Sequence, residues 1–164
     1  PRALVARHLL DARDPADALE RATPEHRAGG YSYLCAFPGG DACVIETTAT
    51  TAARLDLTVH TNHSLAPTVA AKACAPSAGS QSRLARAQKL SETTSVTVKG
   101  MTALLADHDA EGQHICVHPE PDEGDEGATI LFAMVCESET RSMWLARGHA
   151  CTTPFERFTF DGTT

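Results

Sequence analysis

Two imidazoles, a hydroxyl and an amide stand side by side at His60-Thr61-Asn62-His63, directly after a run at 53–59 that alternates as a strand does. A strand end can present His60, Asn62 and His63 to one cleft, and the residue types allow three readings. As a metal site, His60 and His63 need one or two further ligands, which Cys116-x-His118 on another strand can supply, although the spacing matches no recognised zinc motif. As an oxyanion site, the Asn62 amide donates a hydrogen bond to a tetrahedral intermediate, a contribution of about 3–4 kcal/mol. In the third reading the four residues are a polar close to a strand. Arg83 and Arg86 lie three apart with Lys89 a turn further on, beside the apolar stripe Leu84, Ala87 and Leu90. That spacing makes an amphipathic helix and leaves open whether one arginine turns into a cleft to orient a carboxylate or a catalytic group. The acidic stretch Glu120-Pro-Asp-Glu-Gly-Asp-Glu126 lacks an EF-hand's ligand spacing and reads as a solvated loop.

Secondary-structure signals place these residues on a frame. Leu4, Val5 and Leu9 open the chain at helical spacing, and Asp14-Pro15 supplies an N-cap followed by proline at the first helical position, so two short helices fill roughly 3–22. The runs 31–37 and 42–47, parted by Pro38-Gly39-Gly40-Asp41, predict a hairpin, and the third strand at 53–59 leads into the histidines. Residues 64–80, with Pro67, Pro76 and Gly79, read as loop. Ser80 is placed to cap a helix reaching Leu90, and a second helix covers 98–106. Strands return at 114–118, 128–136 and 142–146, with the acidic loop between the first two. Trp144, Phe155, Phe158 and Phe160 read as core or edge packing. Strands, helices, strands without βαβ alternation predict an α+β domain, and no repeat or linker interrupts 1–164.

Composition narrows the function classes. The 164 residues carry 14 Lys and Arg against 21 Asp and Glu, a net charge of −7, which is the wrong sign for neutralising phosphates and argues against a nucleic-acid partner. No apolar run approaches the roughly 20 residues that span a bilayer, and the opening Pro1-Arg2-Ala3-Leu4-Val5 has no signal-peptide core, so no membrane partner is expected. Six cysteines, at 35, 43, 74, 116, 136 and 151, lie mostly in strand-like runs without CxxC spacing and read as reduced, buried thiols of a cytoplasmic protein. Only 5% of the chain is aromatic and much of the apolar content is alanine, so burial per residue is modest.

Eight segments in order carry a family resemblance: Asp17-Ala-Leu-Glu-Arg21, the run 30–37, Val59-His-Thr-Asn-His63, Ser82-Arg-x-x-Arg86, Ala103-Leu-Leu-Ala-Asp-His108, Ile115-Cys-x-His-Pro119, Gly127-Ala-Thr-Ile130 and Met143-Trp-Leu-Ala-x-Gly148. Over roughly residues 5–158 the chain resembles the later part of the acyl-coenzyme A:6-aminopenicillanic acid acyltransferases, also called isopenicillin N acyltransferases, and their cysteine-peptidase-like relatives. The resemblance implies a four-layer αββα N-terminal-nucleophile hydrolase fold, built of mainly antiparallel strands with helices. It also implies autoprocessing, in which a precursor cuts itself before a cysteine that becomes the nucleophile for an amide or thioester carbonyl. By the same resemblance Asn62 matches the oxyanion-hole asparagine, and Arg83 sits where the related bile-salt hydrolases carry a functional arginine. His60, His63 and Arg86 are then expected to contact a small-molecule acyl substrate, with neither cofactor nor metal.

Two departures shape the expectation. The family cuts Gly-Cys, whereas the residues before the cysteines here are Leu34, Ala42, Ala73, Ile115, Val135 and Ala150. Since relatives carry Gly-Cys upstream of such a segment, this chain is expected to be a C-terminal portion, inactive alone, whose partner is an N-terminal segment or companion chain bearing the cysteine. The penicillin acyltransferase also has a functional arginine just before its Gly-Ala-Thr, where this chain has Glu126. A general amide hydrolase or acyltransferase is therefore expected rather than a β-lactam enzyme. The alternatives are a non-catalytic small-ligand or metal-binding α+β module, or an inactive fragment.

Overall fold

Asp14 ends one helix-poor turn and starts the next helix, because its carboxylate accepts from the backbone N–H groups of Ala16 and Asp17 at 2.9 and 2.8 Å and Pro15 needs no partner for a missing N–H. The helices α1 (Arg2–Leu9) and α2 (Pro15–Ala22) thus form where the sequence predicts two. In this computed structural model residues 2–57, 59–108, 114–118 and 129–160 are described. The chain divides into two compact units, Pro1–Leu84 and Ala85–Thr164.

In the first unit β1 (Ser32–Ala36), β2 (Ala42–Thr47) and β3 (Ala52–Leu55) form one antiparallel sheet in the order β1-β2-β3. Gly39 and Gly40 both adopt φ +95° in the β1–β2 turn, a region that favours residues without a Cβ. Side chains alternate across a strand, so β2 sends Cys43 and Ile45 to one face and Val44 and Glu46 to the other. The first pair meets Ala18 and Ala22 of α2 and Phe37 in the core of this unit. Glu46, fully buried on the opposite face, faces the chain beyond β3.

Pairing of β3 stops at Leu55, short of the predicted 53–59, so the histidines follow in a loop rather than at a strand end. The physical reason is competition for backbone donors: further along, Asn62 N–H goes to the Ser80 hydroxyl and the N–H groups of Leu65 and Ala66 go to the Glu46 carboxylate. The predicted loop at 64–80 contains a one-turn helix α3 (Pro67–Ala70), with proline at its first turn and Val69 buried. Helix α4 (Ala78–Ser91) begins two residues before the predicted cap, because Ser77 Oγ accepts from Ser80 N–H at 3.2 Å.

The second unit takes the rest of α4, α5 (Val98–Leu105) capped by Thr97, and the antiparallel sheet β4 (Ala133–Glu137), β5 (Ser142–Ala146) and β6 (Glu156–Thr159) in that order. Its core is made of Cys116, Ala133, Ala146 and Ala150. The predicted strand at 114–118 is irregular instead, held by Cys116 N–H on the Asp107 carbonyl and Ile130 N–H on the Val117 carbonyl rather than by a ladder. The strand expected at 128–136 starts only at Ala133, and β6 is a strand the sequence reading did not place. Residues 119–128, with the acidic loop and Glu126, lie outside the described residues, as does Pro1. The architecture is α+β, with two three-stranded antiparallel sheets flanking the helical middle of the sequence.

Six free thiols are present, yet not all are buried: Cys74 and Cys136 are exposed. Cys136 shares the open face of β4 with Met134, so a strand setting leaves it exposed. Cys35 and Cys43 face each other across β1 and β2, and burial pushes the Cys35 thiol up to about 11, so it stays protonated near neutrality. Among the described residues no helix is long and apolar enough to cross a membrane.

Candidate functional site

His60, Asn62 and His63 line one cleft of about 750 Å³ in the first unit, together with Thr47, Cys74 and Ser80. Gly30 closes one side because the chain passes so near Thr47 that a Cβ there would collide with the Thr47 carbonyl. The loop at 60–63 is gripped from both directions. From β2, Glu46 Oε1 lies 2.7 Å from His60 Nε2 and 2.6 Å from Leu65 N, and Oε2 lies 2.9 Å from Ala66 N. A carboxylate only accepts, so His60 Nε2 carries the hydrogen it shares. From α4, Ser80 Oγ accepts from Asn62 N–H at 3.0 Å and lies 2.8 Å from His63 Nδ1, while the Ser80 carbonyl accepts from the Thr61 hydroxyl at 3.0 Å.

Arg83, one turn along α4 from Ser80, donates from Nη2 to Asn62 Oδ1 at 2.9 Å. A guanidinium has donors and no acceptor, so this contact decides which end of the amide faces it. Asn62 Oδ1 is turned to Arg83 and the Nδ2 donors are turned away, at an exposed position on the cleft wall. The amide is thereby held with its N–H groups available to an acceptor.

Arg86 is engaged elsewhere. Its Nε and Nη2 make a two-pronged contact with the Asp107 carboxylate at 2.9 and 2.6 Å, with both side chains largely buried. The same Asp107 accepts from Cys116 N–H through its backbone carbonyl at 3.2 Å, so the arginine braces the segment after α5 in the second unit. The hydrogen bonds from Arg86 hold the Asp107 carboxyl below its ordinary range, against the opposing effect of burial. A depressed folded-state pKa stabilises the fold above the unfolded value of about 3.9 and loses that contribution as the pH falls through the folded value. Unfolding by urea therefore separates the wild type from Asp107→Asn at pH 7, and the gap closes as the pH is taken well below the carboxylate range.

His60 and His63 each meet a protein group rather than one another's metal-binding edge. Among the described residues the ligand atoms that cluster are those of His108, His118 and Cys151, all in the second unit. Two site residues escaped the sequence reading. In the sequence Glu46 reads only as part of a strand, although a carboxylate within Cys43-Val-Ile-Glu46 is the kind of buried charge that requires partners. Ser80 reads as a helix cap, and its hydroxyl instead organises the histidine loop.

No curated protein sequence matches the chain. A family profile described as acyl-coenzyme A:6-aminopenicillanic acid acyl-transferase matches residues 1–150, which include the whole cleft, Asn62 and both arginines of α4. With more than half of its length matched by that profile, the chain belongs to the acyl-coenzyme A:6-aminopenicillanic acid acyl-transferase family.

Proposed function

We propose that this chain forms the C-terminal part of a cysteine N-terminal-nucleophile acyltransferase or amidohydrolase of the cytoplasm, with the nucleophilic cysteine supplied by an N-terminal segment or companion chain. The observation that carries the reading is the Arg83–Asn62 contact at the cleft, which holds the amide with its donors outward. In the proposed reaction the α-amine of the N-terminal cysteine takes the thiol proton, and the thiolate attacks the carbonyl carbon of an amide or thioester. The negative charge that develops on the carbonyl oxygen accepts from Asn62 Nδ2, an interaction worth about 3–4 kcal/mol when preorganised. Collapse expels the amine or thiol with the proton from the α-ammonium, leaving a thioester that water or an acceptor amine then cleaves. Arg83 is a positioning residue in this scheme, His60 and His63 build the substrate wall, and Arg86 acts through Asp107 rather than on the acyl group.

A partner segment in a four-layer αββα arrangement is supported by apolar strand surface left open. Leu34 on β1 is 66% exposed, and Leu131, Phe132 and Met134, in and just before β4, are exposed as well. Soluble domains rarely leave such groups unpaired along a sheet without a layer to cover them. The absence of Gly-Cys before any of the six cysteines supports an external nucleophile. Intact mass and N-terminal sequencing of the protein from its native source, followed by assay with a chromogenic acyl amide and an acyl-coenzyme A, test the proposal. A chain or companion beginning with cysteine, and turnover abolished when that cysteine becomes alanine, is the expected result. Turnover that survives that replacement, or a native product with no such cysteine and no turnover, overturns it.

A further inference from the structure

The second unit gathers histidine and cysteine side chains that the acyl chemistry does not use. His108 Nε2 and His118 Nε2 are 3.2 Å apart, Cys151 Sγ is 3.4 Å from the same His118 Nε2, and all three atoms lie within 4.8 Å of one another. They arrive from separate segments: His108 from just beyond α5, His118 from the irregular stretch at 114–118, and Cys151 from the turn after β5, where Thr152 and Thr153 N–H groups bond the His149 carbonyl. A hydrogen bond joins two of these groups at a time, whereas one metal ion can be shared by all three.

Two of the three spacings match the edges of a tetrahedral centre, and the third lies within 4.8 Å. With Zn–N of about 2.05 Å and Zn–S of about 2.3 Å, tetrahedral angles place two nitrogens about 3.3 Å apart and a nitrogen and a sulfur about 3.6 Å apart. The observed 3.2 and 3.4 Å fall within about 0.2 Å of these edges. The surroundings fit as well. Cys116 Sγ lies 3.6 Å from Cys151 Sγ, and the His118 ring stacks on His149 with centroids 4.7 Å apart. His149 is in turn fixed by Thr129 Oγ1 at 2.7 Å from Nε2, and the His114 ring lies against His108 at 4.7 Å.

We propose that His108 Nε2, His118 Nε2 and Cys151 Sγ form a zinc site, with a water as the fourth ligand. Two imidazoles and a thiolate select a borderline-soft ion such as Zn²⁺ over Mg²⁺ or Ca²⁺, which prefer oxygen. On binding, the metal–sulfur bond replaces the S–H bond of Cys151 and the proton passes to solvent. The ion ties together three segments around a core of three alanines and one cysteine, where apolar burial contributes least. The proposal is independent of the acyl-transfer reading, since none of its residues lines the cleft in the first unit.

The test uses the full protein without a histidine tag, stripped by chelator and then titrated with Zn²⁺ against a chromophoric competitor and with Co²⁺ followed by absorption. One metal per chain is expected, with the intense visible bands of tetrahedral Co²⁺, a thiolate-to-cobalt charge-transfer band, and an unfolding temperature that rises with Zn²⁺. Cys151→Ser abolishes the charge-transfer band, and His108→Gln, at an exposed position that spares the fold, weakens Zn²⁺ binding by about tenfold or more. Cys136→Ser, at an exposed thiol of β4, leaves both unchanged. An octahedral Co²⁺ spectrum lacking the thiolate band, binding equal in His108→Gln and wild type, or no binding at all overturns the site.

Discussion

In the proposed assembled enzyme, replacing Asn62 by alanine lowers kcat by about 10²–10³-fold with KM close to the wild-type value, because the proposed hydrogen bond exists mainly in the transition state. The amide sits at an exposed position, so the substitution removes a donor without opening a core cavity, and the unfolding midpoint stays within the error of the wild type. Asn62→Asp sharpens the result. The new carboxylate keeps a partner in Arg83 but presents negative charge to the oxyanion, so the variant folds and is at least as inactive as Asn62→Ala. Arg83→Met leaves the amide free to rotate and lowers kcat by about tenfold, and Arg83→Lys, which still donates to Oδ1, recovers part of that loss. Steady-state kinetics on the four variants, with N-terminal sequencing to confirm that each is processed, check these outcomes. Unchanged kcat in processed Asn62→Ala removes the oxyanion role.

The largest expected effect on stability belongs to Glu46. Its carboxylate is fully buried and accepts from Leu65 N–H, Ala66 N–H and His60. Alanine at this position leaves two backbone donors and an imidazole without their acceptor, each at a desolvation cost of about 1–3 kcal/mol, for a combined loss of about 3–5 kcal/mol after relaxation. At a urea dependence of about 2 kcal/mol per M the midpoint falls by about 2 M. Glu46→Gln is milder, at about 1–3 kcal/mol, since its carbonyl still accepts while its amide meets an N–H donor head on. Urea unfolding followed by circular dichroism measures both. Because the same carboxylate anchors the loop that carries Asn62, Glu46→Ala loses activity and stability together, whereas Asn62→Ala loses activity alone.

Local signals read well where one segment contains all the atoms that decide its conformation. The cap at Asp14, the proline after it and the two glycines between β1 and β2 are visible as residue types, and α2 and the hairpin form where those types predict. The α+β class follows from the same reading, since β1 to β3, then α3 to α5, then β4 to β6 is the predicted order of strands, helices and strands. Strands whose pairing depends on distant partners read less well. The run 114–118, Ile-Cys-Val between two histidines, has the composition of a strand but bonds to Asp107 and Ile130 instead of joining a ladder, and the four residues of β6 are too few to show a period.

For the site, the residue types alone marked His60, Asn62, His63, Arg83 and Arg86 as candidates, and the order of eight short segments pointed to the acyl-transferase family that the profile match shows. Tertiary structure decided what each does. It paired Arg83 with Asn62 and Arg86 with Asp107, two arginines three residues apart whose different partners no spacing rule could assign. It brought Glu46 from β2 and Ser80 from α4 onto one loop, and His108, His118 and Cys151 onto one another. The physical reason is range: caps, turns and periodicity are energies between neighbours along the chain, whereas the direction of a guanidinium or the satisfaction of a buried carboxylate depends on groups that meet only after the chain has folded.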